Sequence, residues 1–158
     1  LMSPVSQAVY PFVSKKVAES KEIGLKIIKE ITVYVSFIMF IISILVFVFA
    51  QKIVLLVLGN DYSKSVIVLQ ILACHPLLIG LSNVFGIQTM LPFGRKKAFQ
   101  NILILASVIN IILSVIFVPL LQHVGSAIAV TIVELFVTIT MFLYLERSGL
   151  SLVRFNHV

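Results

Sequence analysis

The chain has 158 residues, of which 60% are hydrophobic and 11% charged, and its formal net charge is +6. A soluble domain is roughly 45–50% apolar and about 25% charged, so these few charges could not cover the core that so many apolar residues would form. The same surplus of apolar surface excludes intrinsic disorder. Because the apolar stretches are continuous rather than alternating, the composition predicts an all-α integral membrane protein and not a transmembrane barrel.

The first 30 residues predict two elements. Residues 1–14 are expected to be the end of a transmembrane helix that begins before Leu1, because the chain opens without Met and runs through apolar residues to Lys15-Lys16. The order of these features differs from that of a signal peptide, in which the basic residues come first. Residues 15–30 alternate apolar and charged side chains, which predicts a cytoplasmic linker helix on the membrane surface. The chain is accordingly interpreted as a fragment of a longer protein.

Residues 31–146 predict four complete transmembrane helices. The first, over 31–50, contains twenty residues without a charge, enough at about 1.5 Å per residue to cross a ~30 Å hydrocarbon core. The others are expected at about residues 65–90, 101–121 and 125–145.

Glycine and proline mark the ends and irregularities of these helices. Gly59 is expected to end the helix that continues after the first span, and Pro92 is expected to end the second span. Pro76 is expected to kink the second span. Residues 122–124 are predicted to form a tight connection between the last two spans.

The distribution of basic residues predicts an orientation. With four crossings, ten of the twelve Lys and Arg residues fall on one side: Lys15, Lys16, Lys21, Lys26, Lys29, Arg95, Lys96, Lys97, Arg147 and Arg154. By the positive-inside rule that side is the cytoplasm, so the loop with Arg95, Lys96 and Lys97 and the tail at 147–158 are predicted to be cytoplasmic. Anionic lipid headgroups account for this charge, and nucleic acid is not an expected partner.

Glu134 is the charged residue within a predicted span. A carboxyl group in hydrocarbon is costly, so we expect it to face the bundle interior or a water-filled cavity. It is a candidate proton or cation site, or a contact to a polar substrate. The alternative is a protonated carboxyl that is bonded to a neighbouring helix, with Thr131 or Thr138 near it on its own helix face.

Four uncharged or weakly basic polar residues are further candidates for a substrate or ion pathway. His75 precedes Pro76 in the second span and can titrate near neutral pH, although a simple proline kink explains the pair equally well. Asn83, Gln88 and Asn110 are polar residues in spans, where such side chains commonly join helices. The pairs Ser82-x-x-x-Gly86 and Gly125-x-x-x-Ala129 are spaced for close helix approach.

No pattern in the sequence indicates an enzyme, a metal site or a cofactor. The three His residues and Cys74, the single cysteine, are scattered without ligand spacing. Gly-rich phosphate loops are absent from the sequence, and a membrane-embedded polymerase or ligase would need a larger external loop than residues 51–64 provide.

Several short motifs together resemble one transporter family. Gly59-Asn60-Asp61-Tyr62 resembles a G-x-x-Y-like element before a long helix, and residues 68–72 resemble a VLQIL-type run. Gly86-Ile87-Gln88 through Leu91-Pro92, followed by the basic cluster, resembles G-x-Q-x-L-x-P before a cytoplasmic turn. The final helix pair is matched by Asn110, Pro119, Gly125, Ala129 and Glu134. Over residues 55–146 the sequence resembles the C-terminal part of bacterial O-antigen flippases. These are the Wzx-type polysaccharide exporters of the multidrug/oligosaccharidyl-lipid/polysaccharide (MOP) superfamily.

The resemblance implies a twelve-helix transporter of two six-helix bundles in the bacterial inner membrane, of which this chain would supply the last four helices and the end of the eighth. It implies translocation of undecaprenyl-diphosphate-linked O-antigen repeat units by alternating access, coupled to an ion gradient. The implied partners are the lipid bilayer, the lipid-linked oligosaccharide and other glycan assembly proteins.

Two alternatives stay open. The first is another MOP exporter, either a drug/cation antiporter or a peptidoglycan-precursor flippase, which would share the fold and differ in substrate. The second is a small four-helix membrane partner protein that is complete as it stands.

Overall fold

The computed structural model describes the backbone of residues 2–152 and the side chains of residues 6–152. In this part of the chain the secondary structure is helical, without strands. The helices are α1 (Met2–Glu19), α2 (Lys21–Val57), α3 (Ser65–Leu72), α4 (His75–Asn83) and α5 (Lys96–Arg147), with a 3-10 turn at Asn60–Tyr62 and a π-helix at Val84–Met90. Half of the predicted tail, residues 153–158 with Arg154 and His157, lies outside the described residues.

Three helical stretches among the described residues are long and apolar enough to cross a membrane: Lys21–Val57, Ser65–Met90 and Lys96–Arg147. Their outer faces carry large apolar side chains, and Phe37 and Val48 on α2 are each 64% exposed. Such a surface is stable only against lipid or another apolar partner. The prediction of an all-α membrane protein is confirmed.

The first two helices meet at Ser20, whereas the sequence predicts one linker helix over 15–30. Ser20 has an extended backbone (φ −157°, ψ 129°), and its hydroxyl accepts a hydrogen bond from the backbone N–H of Ile23. This N-cap starts α2 ten residues before the predicted span. The charged residues before Ile31 therefore mark where the apolar stretch begins and not where the helix begins. Gly59, with φ +91°, lies just beyond the end of α2, as predicted.

The second span is interrupted where Pro76 predicts an irregularity. The α-helix stops after Leu72 and resumes at His75, with Pro76 in the first turn of α4, the part of a helix in which proline costs least. Turns at residues 91–94 end the stretch, consistent with the role predicted for Pro92.

α5 consists of two helices that are joined at Gln122, where the backbone is not helical (φ 51°, ψ −127°). Phe99 and Met141 both pack on Gly86, and a Cβ atom there would lie 3.2 Å from Met141 Sδ. Along a straight helix these two residues would be about 63 Å apart. The chain therefore folds back at the break, so that residues 96–121 form a first arm and residues 123–147 a second arm.

One apolar cluster holds the end of the bundle at which α1 meets α2. Val13, Ile28, Met90 and Leu145 are at most 1% exposed and belong to this cluster, which also includes Leu152. Their positions in the chain bring the α1–α2 junction, the end of the π-helix and the end of α5 together.

Candidate functional site

A cavity of about 490 Å³ lies between α1 and the second span, and we call it the α1 cavity. Of the six lining residues that the structure describes, four are polar and none is charged: Ser6, Gln7, Tyr10, Asn83, Ile87 and Leu91. A concave site with a few polar groups among apolar ones is the usual form of a small-molecule site. The groups here can hydrogen-bond a ligand without contributing charge.

Gln88 fixes α1 against the wall of this cavity. Its side chain is nearly inaccessible at 2% exposure. The amide nitrogen Nε2 donates to the backbone oxygen of Ser6 at 3.0 Å and to Ser6 Oγ at 3.1 Å, while Oε1 has no hydrogen-bond partner. Gln88 thus lies behind the lining, and its observed contacts are those of a residue that joins helices.

The π-helix that carries Gln88 is a local widening of the second span. Leu91 N–H donates to Gly86 O, five residues earlier, at 3.2 Å. Thr89 Oγ1 donates to Val84 O at 2.7 Å, again across five residues. Single π turns occur frequently at functional positions, and this one carries the buried Gln88, which bonds to α1.

The carboxyl group of Glu134 accepts a hydrogen bond from a neighbouring helix. Ser82 Oγ donates to Glu134 Oε1 at 2.7 Å, which joins α4 to the second arm of α5. Thr138 donates instead to the backbone oxygens of Glu134 and Leu78, and Thr131 donates to Ala127 O. Both threonine hydroxyls bond to backbone carbonyls, so the printed partner of the carboxyl group lies on a neighbouring helix, the arrangement given as the alternative in the sequence analysis.

A second cavity of about 210 Å³ adjoins this hydrogen bond, and we call it the Glu134 cavity. Apart from Ser82, Asn83 and Glu134 its lining is apolar: Ile79, Ile87, Phe99, Leu103, Val137 and Met141. Glu134 is half-buried and is the charged member of this lining. A lone carboxylate in such surroundings favours a proton or cation over an anion.

Asn83 is the polar residue common to both cavities. It follows Ser82 directly, so one turn of α4 presents Ser82 to Glu134 and Asn83 to both spaces. Of the predicted pathway residues, the structure brings Asn83 and Glu134 to the lining of one cavity.

His75 and Asn110 do not line either cavity. His75 begins α4 at the helix interruption, and both of its ring nitrogens are buried without a hydrogen-bond partner. Asn110 lies in the first arm of α5, and its Oδ1 is likewise buried and unpaired. The interruption is bridged by Ser43 of α2, whose Oγ accepts a hydrogen bond from Leu77 N–H at 3.2 Å.

The basic loop lies next to the apolar cluster, at the end of the bundle where α1 meets α2. Arg95, Lys96 and Lys97 are exposed and follow Met90, which belongs to that cluster. Lys15 is also exposed and follows Val13 of the same cluster. The fold therefore collects basic segments that are distant in the sequence at one end.

Sequence reasoning missed Ser6, Gln7 and Tyr10, because the first residues were interpreted only as the end of a helix. Their polar side chains in an otherwise apolar helix were the available signal. The spacing of Ser82 and Gly86 did predict close helix approach, and Phe99 and Met141 indeed pack on Gly86. The hydrogen bond from the Ser82 hydroxyl to Glu134 could not be inferred from spacing. In the searched part of the chain, residues 2–152, no group of three His, Cys, Asp or Glu residues could hold a metal ion.

The chain is similar to a polysaccharide biosynthesis family and to a relative named as an O-antigen transporter. A family model described as "Polysaccharide biosynthesis protein" matches residues 1–67, most of which precede the stretch that carries the motif resemblance. A protein of Escherichia coli (strain K12) named "Putative O-antigen transporter" is 34% identical over 150 residues. The alignment covers 95% of this chain, and the chain spans 36% of that protein's length. No solved structure matches the chain significantly.

The family model matches the first part of the chain, and the alignment to the relative extends over nearly the whole chain. They place it with membrane proteins of polysaccharide and O-antigen biosynthesis. The family resemblance predicted from the sequence, to polysaccharide transporters of the O-antigen flippase type, is confirmed.

Proposed function

We propose that the chain is the C-terminal part of a polysaccharide flippase that moves undecaprenyl-diphosphate-linked O-antigen repeat units across the bacterial inner membrane. The similarity to an O-antigen transporter over 95% of the chain supports this function. The chain's 36% share of that relative suits four of twelve helices. A glycan headgroup needs a polar path through the hydrocarbon core, and the two cavities offer polar groups inside the bundle.

The topology that belongs to this proposal has four crossings and a cytoplasmic C-terminus. The two arms of α5 each have the length of one crossing, and the break at Gln122 returns the chain to the same side. The apolar cluster brings the segments with Lys15, Arg95 and Arg147 to one end, which is the end that the positive-inside rule assigns to the cytoplasm.

The topology is tested with fusions to a reporter that is active only in the periplasm. We expect activity after residues 61 and 123, and silence after residues 96 and 150. If α5 were a single crossing, residues 96 and 150 would lie on opposite sides. Activity at residue 150 with silence at 96 would therefore contradict the fold-back of α5 in the membrane.

The observation that carries the transport proposal is the Ser82–Glu134 hydrogen bond beside a cavity. When a carboxyl group held between two helices binds a proton or a cation, it can release its serine partner. This release would loosen the contact between α4 and the second arm. Such an exchange links an ion gradient to the relative movement of helices, as alternating access requires. Asn83 would transmit the change, because it borders both cavities.

The functional test is Glu134→Gln, introduced into the gene that encodes this chain in its own host. We expect surface polysaccharide to decrease and lipid-linked repeat units to accumulate, because the amide keeps a hydrogen bond to Ser82 but cannot bind a proton or cation. Glu30→Gln is the matched control, since Glu30 is exposed on α2. Normal surface polysaccharide in the Glu134→Gln strain, at equal protein level, would contradict the ion-coupled mechanism.

A further inference from the structure

We propose that the α1 cavity and the basic end next to it form one two-part site for an amphipathic ligand. A neutral, hydroxyl-rich group occupies the cavity, and a phosphate attached to it lies against Arg95, Lys96, Lys97 and Lys15. The inference rests on the proposed function, because it assigns the two parts of a sugar-phosphate-lipid to two surfaces of this chain.

The chemistry of the α1 cavity suits a sugar rather than a phosphate. Its polar groups are a serine hydroxyl, a phenol and two amides, from Ser6, Tyr10, Gln7 and Asn83, and none of the lining residues that the structure describes carries a charge. Amides donate and accept hydrogen bonds at one site, as paired sugar hydroxyls require. The Tyr10 ring adds an apolar surface with a polar tip. A phosphate in this cavity would lose water without gaining a cation.

Cations stand next to the cavity instead. Leu91 lines the cavity, and Arg95 follows four residues later, beyond the turn at 91–94. On the opposite wall Tyr10 lies five residues before Lys15 in α1, roughly 7.5 Å along the helix axis. Arg95, Lys96, Lys97 and Lys15 are exposed. Arginine and lysine at the membrane interface are the groups that bind phosphate most strongly.

The Glu134 cavity offers the opposite chemistry and serves as an internal comparison. It has less than half the volume, about 210 Å³, and its lining includes a carboxylate and no basic residue. A phosphate would be repelled there, and a sugar would find fewer partners. The two cavities therefore separate a cation or proton from the sugar, with Asn83 bordering both.

The wall of the α1 cavity is rigidly supported on the side of α1. Gln88, at 2% exposure, donates twice to Ser6. The lining position of Ser6 is thus set by a buried partner, which is the arrangement that pre-forms a binding site before its ligand arrives.

The test measures binding by calorimetry with the purified full-length transporter that contains this chain, in nanodiscs of phosphatidylcholine, which avoids sugar detergents and anionic lipids. The first probe is N-acetylglucosamine linked through diphosphate to farnesol, and the second is farnesyl diphosphate without sugar. We expect wild-type chain to bind the first probe more tightly. Gln7→Leu and Asn83→Leu should weaken binding of the first probe about three- to tenfold each, as for a lost hydrogen bond, and leave the second within about twofold.

Charge substitutions should produce a different pattern. Arg95→Gln and Lys97→Gln should weaken the binding of both probes alike. Added salt should reduce the difference in affinity between these variants and wild type. Gln100→Leu is the control, because Gln100 is exposed on α5 and should change neither affinity. Equal binding of both probes by wild-type chain, equal weakening of both by Gln7→Leu, or failure to bind either probe would overturn the two-part site. If binding depends on the sugar but the Glu134→Gln variant still supports export, the two-part site is supported. The ion-coupled transport mechanism is then contradicted instead.

Discussion

The helix α2 and the stretch from Ser65 to Met90 are both long enough to cross a membrane, yet they are built differently. α2 is an unbroken helix of 37 residues. The second stretch changes from α3 to α4 and then to a π-helix within 26 residues. Irregular backbone in hydrocarbon is tolerated where it is buried in protein or lines a cavity. The comparison indicates that α2 is mainly a lipid-facing support, whereas the broken stretch carries the site.

Two pairs of side-chain hydrogen bonds illustrate the same division. In α2, Thr32 donates to Ile28 O and Ser36 donates to Thr32 O, so both hydroxyls are satisfied by their own helix. In the broken stretch, Ser82 donates to Glu134 and Gln88 donates to Ser6, each on another helix. Polar groups that bond across helices fix tertiary structure, whereas groups that bond within one helix need no neighbour.

The largest difference is expected for added volume. Gly86→Val in the broken stretch would place methyl groups against Phe99 and Met141. Overpacking of this kind costs about 1–3 kcal/mol of unfolding free energy. Ile44→Val on α2 changes a side chain that is 45% exposed and should stay within about 0.5 kcal/mol. Thermal unfolding of the chain in nanodiscs measures both, and equal shifts would remove the distinction between the two helices.

The next difference compares one substitution at two glutamines. Gln88→Leu removes the two donations to Ser6 and should destabilise the docking of α1 by about 1–3 kcal/mol. Gln51→Leu removes an exposed amide near the end of α2 and should have little effect. Proteolytic cleavage between α1 and α2, measured against time, reports on the docking. Faster cleavage of Gln51→Leu than of Gln88→Leu would argue against the role given to Gln88.

A smaller effect is expected at the point where α2 does support the broken stretch. Ser43→Ala removes the acceptor of Leu77 N–H at the helix interruption and should cost about 0.5–1.5 kcal/mol. Ser36→Ala is the matched control in the same helix, because its hydroxyl bonds only to Thr32 O. Thermal midpoints of the two variants should therefore differ, and identical midpoints would mean that Ser43 does not stabilise the interruption.

The smallest effect is expected outside both helices, at the end of α1. The hydrogen bond from Lys16 Nζ to Glu19 Oε2, at 2.7 Å, lowers the pKa of the Glu19 carboxyl. A lowered pKa in the folded state stabilises the fold above the unfolded pKa, and this contribution is lost as the pH falls through the folded pKa. Because the pair is exposed to solvent, the effect is weak. The difference in thermal midpoint between wild type and Glu19→Gln should be slight at pH 7 and vanish in acid. A midpoint difference that increases as the pH falls would contradict the lowered pKa.

The sequence by itself determined the class of the protein and much of its helical content. Continuous apolar stretches require lipid, and Gly59, Pro76 and Pro92 mark the places where backbone bonding changes, since these effects depend on neighbouring residues alone. The motifs around Gly59, Gly86 and the basic loop also sufficed to predict the family. Local charges were less informative about helix ends, because charge near Ile31 limits the apolar stretch while the Ser20 cap starts the helix.

Only the tertiary structure decided which polar residues share a site. The partner of Glu134 is Ser82, 52 residues earlier in the chain, and Gln88 reaches back 82 residues to Ser6. The fold-back of α5 at Gln122 and the π-helix at Val84–Met90 set these pairings. Periodicity along one helix gives the face on which a side chain lies. It does not give the register between helices, which depends on packing at positions such as Gly86, and that packing forms only when all the helices are assembled.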